Sequence, residues 1–314
     1  MSELDIEGPV LVTGAGGCIG SWVLSKLASA GVETIAMDLS DDRRRPLLLM
    51  DEDALSQVRW MCADIADTKT AIRTMSAVAP RAIIHLAGLQ VPFCKADPVL
   101  GAQVNVVGTV NVFEAARAQG IRRLAYASSV AAHGDGDSSP WLKTLYGAYK
   151  HCNEENAQAY WRDWNVPSVG LRPNIVYGVA RDQGMSSLPT IAMLAAVCGE
   201  EYTVPFTGAL GLLHAEDIAD AFIRAISRDR EGVHVFDCNG AATTVEACMQ
   251  VIRQEVPGAS VACEGDALPF PGDLDDEPVS QFLDGFRFRD LEDGVRDTIA
   301  RFRVLHQRGL IHWS

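Results

Sequence analysis

The sequence predicts an α/β protein: a doubly wound parallel sheet with a smaller C-terminal lobe. Three features carry that expectation. Short β-branched runs alternate with amphipathic stretches through the first half of the chain, a glycine-rich turn follows the first run directly, and this regularity loosens beyond Pro173. At 314 residues the chain has room for one large α/β unit or about two domains of ~150 residues.

The elements follow in order. PVLVT (9–13) reads as a strand and 18–30 as a helix. VETIAMD (32–38) and VRWMCAD (58–64) are the next strands, with a helix over 67–79. RAIIHLAG (81–88) leads to a helix at 99–119, RRLAYASS (122–129) to a helix at 144–164, and PSVGLR (167–172) is a sixth strand. Strand and helix in alternation are the order of a parallel sheet covered on both faces. After Pro173 come a loop to about 187, a helix at 188–199, a turn around VPFTG (204–208), a helix at 216–227 and the strand VHVFDC (233–238). The apolar content of those last two elements suits a return to the main sheet. A helix at 243–255, a strand near 259–263, a Pro/Gly/Asp-rich loop (267–277) and a helix at 290–307 complete the chain. The expected division is a nucleotide-binding domain over 1–172, rejoined by 214–238, and a substrate-binding lobe made of 173–213 and 239–314.

Composition narrows the function classes. Hydrophobic residues make up 48% and charged residues 22%, ordinary values for a folded chain in water. No apolar stretch is expected to reach the ~18 residues of a membrane span, and the opening MSELDIEGP is acidic where a secretory signal is basic. A cytoplasmic protein with no membrane partner is the expectation. With 27 Lys+Arg against 41 Asp+Glu the net charge is -14, a poor match to a phosphate backbone, so nucleic acid is not an expected partner. The eight cysteines are scattered without C-x-x-C or zinc-site spacing, as buried thiols of a reducing compartment would be.

In LVTGAGGCIGSWV, Gly14, Gly17 and Gly20 stand between an apolar strand and the mouth of a helix. Glycines there let the chain turn tightly and bring backbone N–H groups and the positive helix end against a pyrophosphate, the arrangement of a Rossmann sheet. Asp38 closes the second strand, where a carboxylate can accept both ribose hydroxyls and repel a 2′-phosphate. That favours NAD over NADP, although Arg43, Arg44 and Arg45 stand close enough in sequence for one of them to reach a 2′-phosphate. Tyr146 and Lys150 are four residues apart in a helical pattern and share a face. An ammonium beside a phenol favours phenolate, which makes the pair a candidate acid/base; packing plus a solvated charge is the plainer reading of the same spacing. Ser128 and Ser129 end a strand at the sheet edge where open α/β sheets bind ligands, and serines there also cap turns.

Taken together these motifs resemble the extended short-chain dehydrogenase/reductase superfamily, in its NAD-dependent epimerase/dehydratase group. The resemblance rests on TGAGGCIG, the acidic end of strand two at Asp38, Asp64-Ile65 in CADIAD, HLAG at 85–88 and Asn105 in NVVGTVNVFEAAR. It continues through ASS at 127–129, YGAYK at 146–150, LRP at 171–173 and HAEDIADAF at 214–222, and so covers about residues 9–225. It implies that Tyr146 is the proton donor/acceptor at the reacting oxygen, that Lys150 binds the nicotinamide ribose and lowers the tyrosine pKa, and that Ser129 hydrogen-bonds the same substrate oxygen. It implies NAD contacts from Gly14, Gly17, Cys18, Ile19, Gly20, Asp38, Asp64, Ile65, Leu86, Ala87, Gly88, Asn105 and Pro173, besides Tyr146 and Lys150. His85 is expected to be a satisfied strand-end histidine, with no metal site. A homodimer through the helices near 99–119 and 144–164 is a further implication.

The chain departs from this group at positions that hold sugar nucleotides. Where such relatives have an asparagine and an arginine, this chain has Ile175 and Leu210, which can neither hydrogen-bond nor neutralise a diphosphate. Gln90 stands where some epimerases have a lysine. Gln90, Ser129, Asn174 and Arg181 are the expected substrate contacts, with Lys95 a further polar residue of the 88–98 loop. A guanidinium such as Arg181 holds a carboxylate in two-pronged fashion. The expected reaction is NAD-dependent interconversion of hydroxyl and keto groups on a small sugar-like or hydroxy-acid substrate without a nucleotide handle. The alternative is an epimerase or dehydratase acting on a (nucleotide-)sugar.

Overall fold

The computed structural model describes residues 6, 8–134, 143–269 and 271–313. Seven parallel strands form the central sheet: β1 (Val10–Thr13), β2 (Thr34–Asp38), β3 (Arg59–Cys62), β4 (Ala82–His85), β5 (Arg123–Ala127), β6 (Ser168–Pro173) and β10 (Val233–Cys238), in the spatial order β10-β6-β5-β4-β1-β2-β3. The order reverses between β1 and β4, and ligands of such sheets bind in the crevice at the carboxyl ends of the strands there. Two-residue periodicity divides the core. Val10, Val12, Ala36 and Ile84 face one layer, while Leu11, Ile35, Ile83 and Leu124 face the other. The first layer holds α1 (Cys18–Ser29) against α9 (Ala215–Ala225); the second holds α3 (Thr68–Val78), α6 (Gly108–Gln119) and α7 (Leu145–Trp164).

Local chemistry sets the helix ends. Thr144 caps α7 by accepting a hydrogen bond from the Gly147 amide at 3.0 Å, and Asn165, at φ 54°, ends it in the left-handed conformation. Asp67 caps α3 in the same way, through the amide of Thr70. α2 (Glu52–Ser56) is a short addition after β2.

The remaining elements are β7 (Ile175–Tyr177), α8 (Leu188–Cys198), β8 (Tyr202–Val204), β9 (Ala209–His214), β11 (Ala241–Thr244), α10 (Val245–Glu255), β12 (Val261–Cys263), α11 (Glu277–Phe282) and α12 (Leu291–Gln307). They include a three-stranded sheet, β11-β9-β7, and a β12-β8 pair. Of these strands only β12 is expected from the sequence, near 259–263; β7, β8, β9 and β11, three to six residues long, are too short to show a period in the sequence. β10 pairs with β6 in register from Val233 opposite Ser168 to Cys238 opposite Pro173.

Two sequence expectations need correction. The 88–98 segment is not a plain loop: α4 (Val91–Ala96) occupies most of it and α5 (Pro98–Ala102) begins at its end, each with a proline in its first turn, where the missing N–H has no intrahelical partner to lose. Moreover, the run Pro98–Gln119 is long and apolar enough, by length and composition, to cross a membrane. Half of its most apolar stretch is buried, and packing of α6 on α3 and α7 accounts for that apolar side. A π-helical segment, Gln103–Val107, joins α5 to α6 and carries Asn105. All eight cysteines are free thiols.

Candidate active site

The carboxyl ends of β1, β2, β4, β5 and β6 open onto one cleft. Its outer part is a cavity of about 390 Å³ lined by the glycine loop, Asp38, Asp64, Ile65, Leu86, Ala87 and Gly88. An inner cavity of about 280 Å³ shares Gly14, Gly17, Cys18, Leu86, Gly88, Gln90 and Arg181 with it, and adds Ile19, Gly20, Ser129, Tyr146, Lys150, Pro173 and Asn174. The sequence-predicted residues therefore converge on a single cleft, with the exceptions of Asn105 and Lys95.

The glycine loop fits a dinucleotide for steric reasons. Gly14 has φ +68°, and a Cβ there would lie 2.5 Å from the Ala87 amide nitrogen; a Cβ on Gly20 would lie 2.3 Å from the Gly14 carbonyl. Only glycine allows the loop to close so tightly against β4 and α1. Gly17, by contrast, faces open space apart from the Gly14 carbonyl, and it caps α1 with no side chain in the way. Asp38 accepts from the amides of Gly16 at 2.9 Å and Leu39 at 2.7 Å, which fixes its carboxylate at the rim. The neighbouring arginines are engaged: Arg43 pairs with Asp41, Arg44 with Asp42, and Arg45 with Asp182. Each positive charge that could attract a 2′-phosphate already faces a carboxylate.

At the inner end α7 presents Tyr146 and Lys150. Tyr146 and Ser129 share a side-chain hydrogen bond. Burial raises the Tyr146 pKa; the Ser129 hydrogen bond and then the Arg181 guanidinium oppose that rise. The Lys150 ammonium donates to the Ala127 carbonyl at 2.6 Å and lies 5.6 Å from the Tyr146 ring centroid, and burial lowers its own pKa to about 8.

Asn105 is fully buried behind Gly88 and does not line the cleft. Its Nδ2 donates to the Leu89 and Gly101 carbonyls at 3.1 and 3.0 Å, whereas its Oδ1 has no partner and lies 2.7 Å from where a Gly88 Cβ would stand. A side chain at 88 would press on Asn105 Oδ1, so a glycine there lets the backbone at the rear of the cleft pack directly on Asn105. Asn174 is drawn into the C-terminal lobe: its Nδ2 donates to Asn239 Oδ1 at 2.8 Å and to the Pro271 carbonyl at 3.1 Å. Only its Oδ1 is left without a partner.

Arg181 sits at the junction of the two cavities, its Nη2 donating to Ser186 Oγ at 2.9 Å and its buried Nε unpartnered. Gln90 packs over Gly184, whose φ of +91° and 2.1 Å clearance leave no room for a side chain. Lys95, on α4, lines neither cavity. His85 is buried and neutral, with Thr13 Oγ1 at 2.6 Å from Nδ1 and Thr109 Oγ1 at 3.0 Å from Nε2; burial lowers its pKa to about 3.

Sequence reasoning missed a polar network behind the serines. Buried Glu154 accepts from Ser128 Oγ and, at 2.8 and 2.6 Å, from Arg172. His133 joins it, 3.3 Å from Arg172 Nη1 and 2.7 Å from Asp237 Oδ1. The available signal was Glu154 at Lys150 plus four, on the same helix face. Elsewhere, His214, Glu216 and Asp297 converge within 4.8 Å, but Lys26, Arg289 and Arg301 already pair with these carboxylates, which leaves no unneutralised charge for a cation.

A crossover sheet, a glycine loop with an acidic β2 end, and a Ser-Tyr-Lys set at the inner cavity define an NAD-dependent enzyme of the extended short-chain dehydrogenase/reductase class. The sequence profile of the NAD dependent epimerase/dehydratase family matches residues 10–239, and the chain belongs to that family. It is 27% identical to the UDP-glucose 4-epimerase of Mycolicibacterium smegmatis over 93% of this chain and 98% of that one. The structure of an L-threonine dehydrogenase from Clostridium difficile superposes with TM-score 0.81 at 19% identity, covering 97% of this chain and 99% of the other. A UDP-glucose 4-epimerase from Thermotoga maritima does so with TM-score 0.78 at 21% identity, covering 95% and 99%. Both superpositions speak to the fold.

Proposed function

We propose that the enzyme oxidises or reduces a small hydroxy or keto acid with net exchange of NAD and NADH. The observation that carries this reading is Arg181, a guanidinium with an unpartnered Nε in the inner cavity whose charge acts on Tyr146. A planar cation there suits a carboxylate a few bonds from the reacting oxygen. The positions that grip a sugar nucleotide in epimerases argue the same way. Ile175 and Leu210 are buried and apolar, and Gly272 packs directly on the Leu210 backbone.

In this reading bound NAD supplies the hydride acceptor or donor. Tyr146 moves a proton at the substrate oxygen, and Ser129, already hydrogen-bonded to it, fixes the position of that oxygen. Lys150, whose ammonium stands 5.6 Å from the Tyr146 ring centroid, would hold the cofactor ribose beside the phenol. Gln90 and Ser186 orient the acid around Arg181. The protein acts as a homodimer whose contact uses the exposed apolar side chains Val99, Leu100 and Val107 of the 98–119 run and Leu145 and Trp164 of α7.

The epimerase reading draws on the 27% identity to a UDP-glucose 4-epimerase. One assay separates the two. Small hydroxy acids and UDP-sugars are each incubated with NAD, and both NADH and product are measured. NADH in step with product from an acid, with KM raised at least tenfold in Arg181→Ala, supports the dehydrogenase. Product from a UDP-sugar without NADH rejects it. Light scattering of wild type and Val99→Asp/Leu100→Asp checks the dimer, which the double substitution should reduce to monomers.

A further inference from the structure

The outer cavity is bridged by an ion pair that neither family motif nor cofactor contact assigns. Arg45, just past β2, donates through Nε and Nη2 to Asp182 Oδ1 at 2.9 and 2.7 Å, and through Nη1 to the Gly16 carbonyl at 3.2 Å. Asp182 is the tip of the 178–187 loop on the opposite wall. Among the described residues it makes the one ion pair from that loop to the segment after β2.

The loop itself is fixed at both ends. Trp22 Nε1 donates to the Val179 carbonyl at 3.0 Å, the Gly178 amide to Thr190 Oγ1 at 3.1 Å, and Ser187 Oγ to the Gly184 carbonyl at 2.8 Å. Only the tip is exposed: the Asp182 side chain is 55% accessible and that of Arg45 22%. Arg45 and Asp182 both line the outer cavity with Gly14, Gly16 and Gly17, the stretch a pyrophosphate follows toward the start of α1. Both charges also act on Cys18 at that helix start, as does Arg181. One guanidinium thus faces the Asp182 carboxylate and lines the groove that a doubly charged pyrophosphate would occupy. An exposed ion pair is weakly held, whereas phosphate oxygens offer Arg two parallel charge-assisted bonds.

We propose that Arg45 is an exchangeable ligand of the dinucleotide pyrophosphate, clasped to Asp182 across the groove when no pyrophosphate is seated and turned onto the phosphate oxygens when it is. Asp182 competes with the cofactor for Arg45 and thereby speeds its release, a property useful to an enzyme that exchanges NAD for NADH at every turnover. The inference rests on the dinucleotide reading of the groove.

The test uses the full-length protein and fluorescence to measure the affinity and dissociation rate of NADH, with competition by ADP-ribose and by AMP. Arg45→Met should weaken NADH and ADP-ribose about tenfold and leave AMP, which lacks a pyrophosphate, unchanged. Asp182→Asn should act in the opposite sense and slow NADH release about threefold or more. The double variant should match Arg45→Met. If both single variants release NADH faster, the pair is only a strap and the exchange is overturned. Equal loss of AMP and ADP-ribose in Arg45→Met, or no loss of either, overturns it too. Failure of the wild type to bind NADH would remove the dinucleotide reading and this inference with it, whereas wild-type binding that Arg45→Met leaves intact removes only the clasp.

Discussion

The Lys150 ammonium donates to the Ala127 carbonyl at 2.6 Å while standing 5.6 Å from the Tyr146 ring centroid. Helix α7 is thereby tied to the end of β5 one turn past the Tyr146 phenol. The cation next to that phenol is held by the backbone, and the phenol depends on Ser129 and Arg181 for what lowers its pKa.

Tyr146→Phe removes the hydroxyl and leaves the ring. Turnover of the true substrate should fall by about 10²–10⁴-fold, the range of general acid–base catalysis, with the Kd for NADH within about threefold of wild type. Steady-state kinetics alongside fluorescence titration check both halves.

Lys150 makes stability depend on pH. Its pKa is about 8 in the folded chain against an ordinary 10.5. Between those values the unfolded chain keeps a proton that the folded chain has lost, so the contribution of this residue to stability rises with pH and is lowest below about 8. Lys150→Met abolishes that dependence. Its advantage over wild type should be greatest near neutrality and shrink by about 3 kcal/mol on approaching pH ~10.5, as read by urea unfolding at successive pH values.

Asp38 anchors to the Gly16 and Leu39 amides and presents its charge to the outer cavity. Asp38→Asn should narrow the preference for NAD over NADP by about tenfold, chiefly by relieving repulsion of the 2′-phosphate. Tight NADP binding is not expected, because Arg43 and Arg44 remain paired with Asp41 and Asp42, and Arg45 is engaged by Asp182 or the pyrophosphate. Paired titrations with NADH and NADPH measure the ratio.

Glu154 and Arg172 form a pair with the Glu154 side chain only 8% accessible. Glu154→Gln or Arg172→Met leaves one buried charge without its partner and should destabilise the chain by about 3 kcal/mol. The double variant should cost less than the sum, since no unpaired charge remains. Denaturant melts of the four proteins close the cycle.

The features legible in the sequence are those written over short distances. Strand and helix alternation, the glycine spacing, Asp38 at a strand end and Tyr146 four residues before Lys150 all depend on local periodicity, and the seven-stranded sheet follows them. What escaped the reading joins distant segments. Arg45 and Asp182 are 137 residues apart, and His133 and Asp237 are 104 apart, so no spacing links them. Asn174, one position before the Ile175 that replaces the relatives' asparagine, lines the inner cavity, but its amide NH2 is committed to Asn239, 65 residues on. The Tyr146 and Lys150 spacing was legible, whereas the groups that surround the two side chains were not. Spacing places an ammonium near a phenol, but burial and the Ala127 carbonyl decide what that ammonium does.

The alignment of Tyr146, Lys150 and Glu154 along α7 makes this helix a ruler. Each residue advances the helix by about 100°. One amino acid inserted between 146 and 150 would swing the phenol a quarter turn or more away from Ser129, or tear Lys150 from its carbonyl. Length variation along the lineage of this enzyme must therefore accumulate outside that span, and natural variants that keep its chemistry should keep those eight steps uninterrupted.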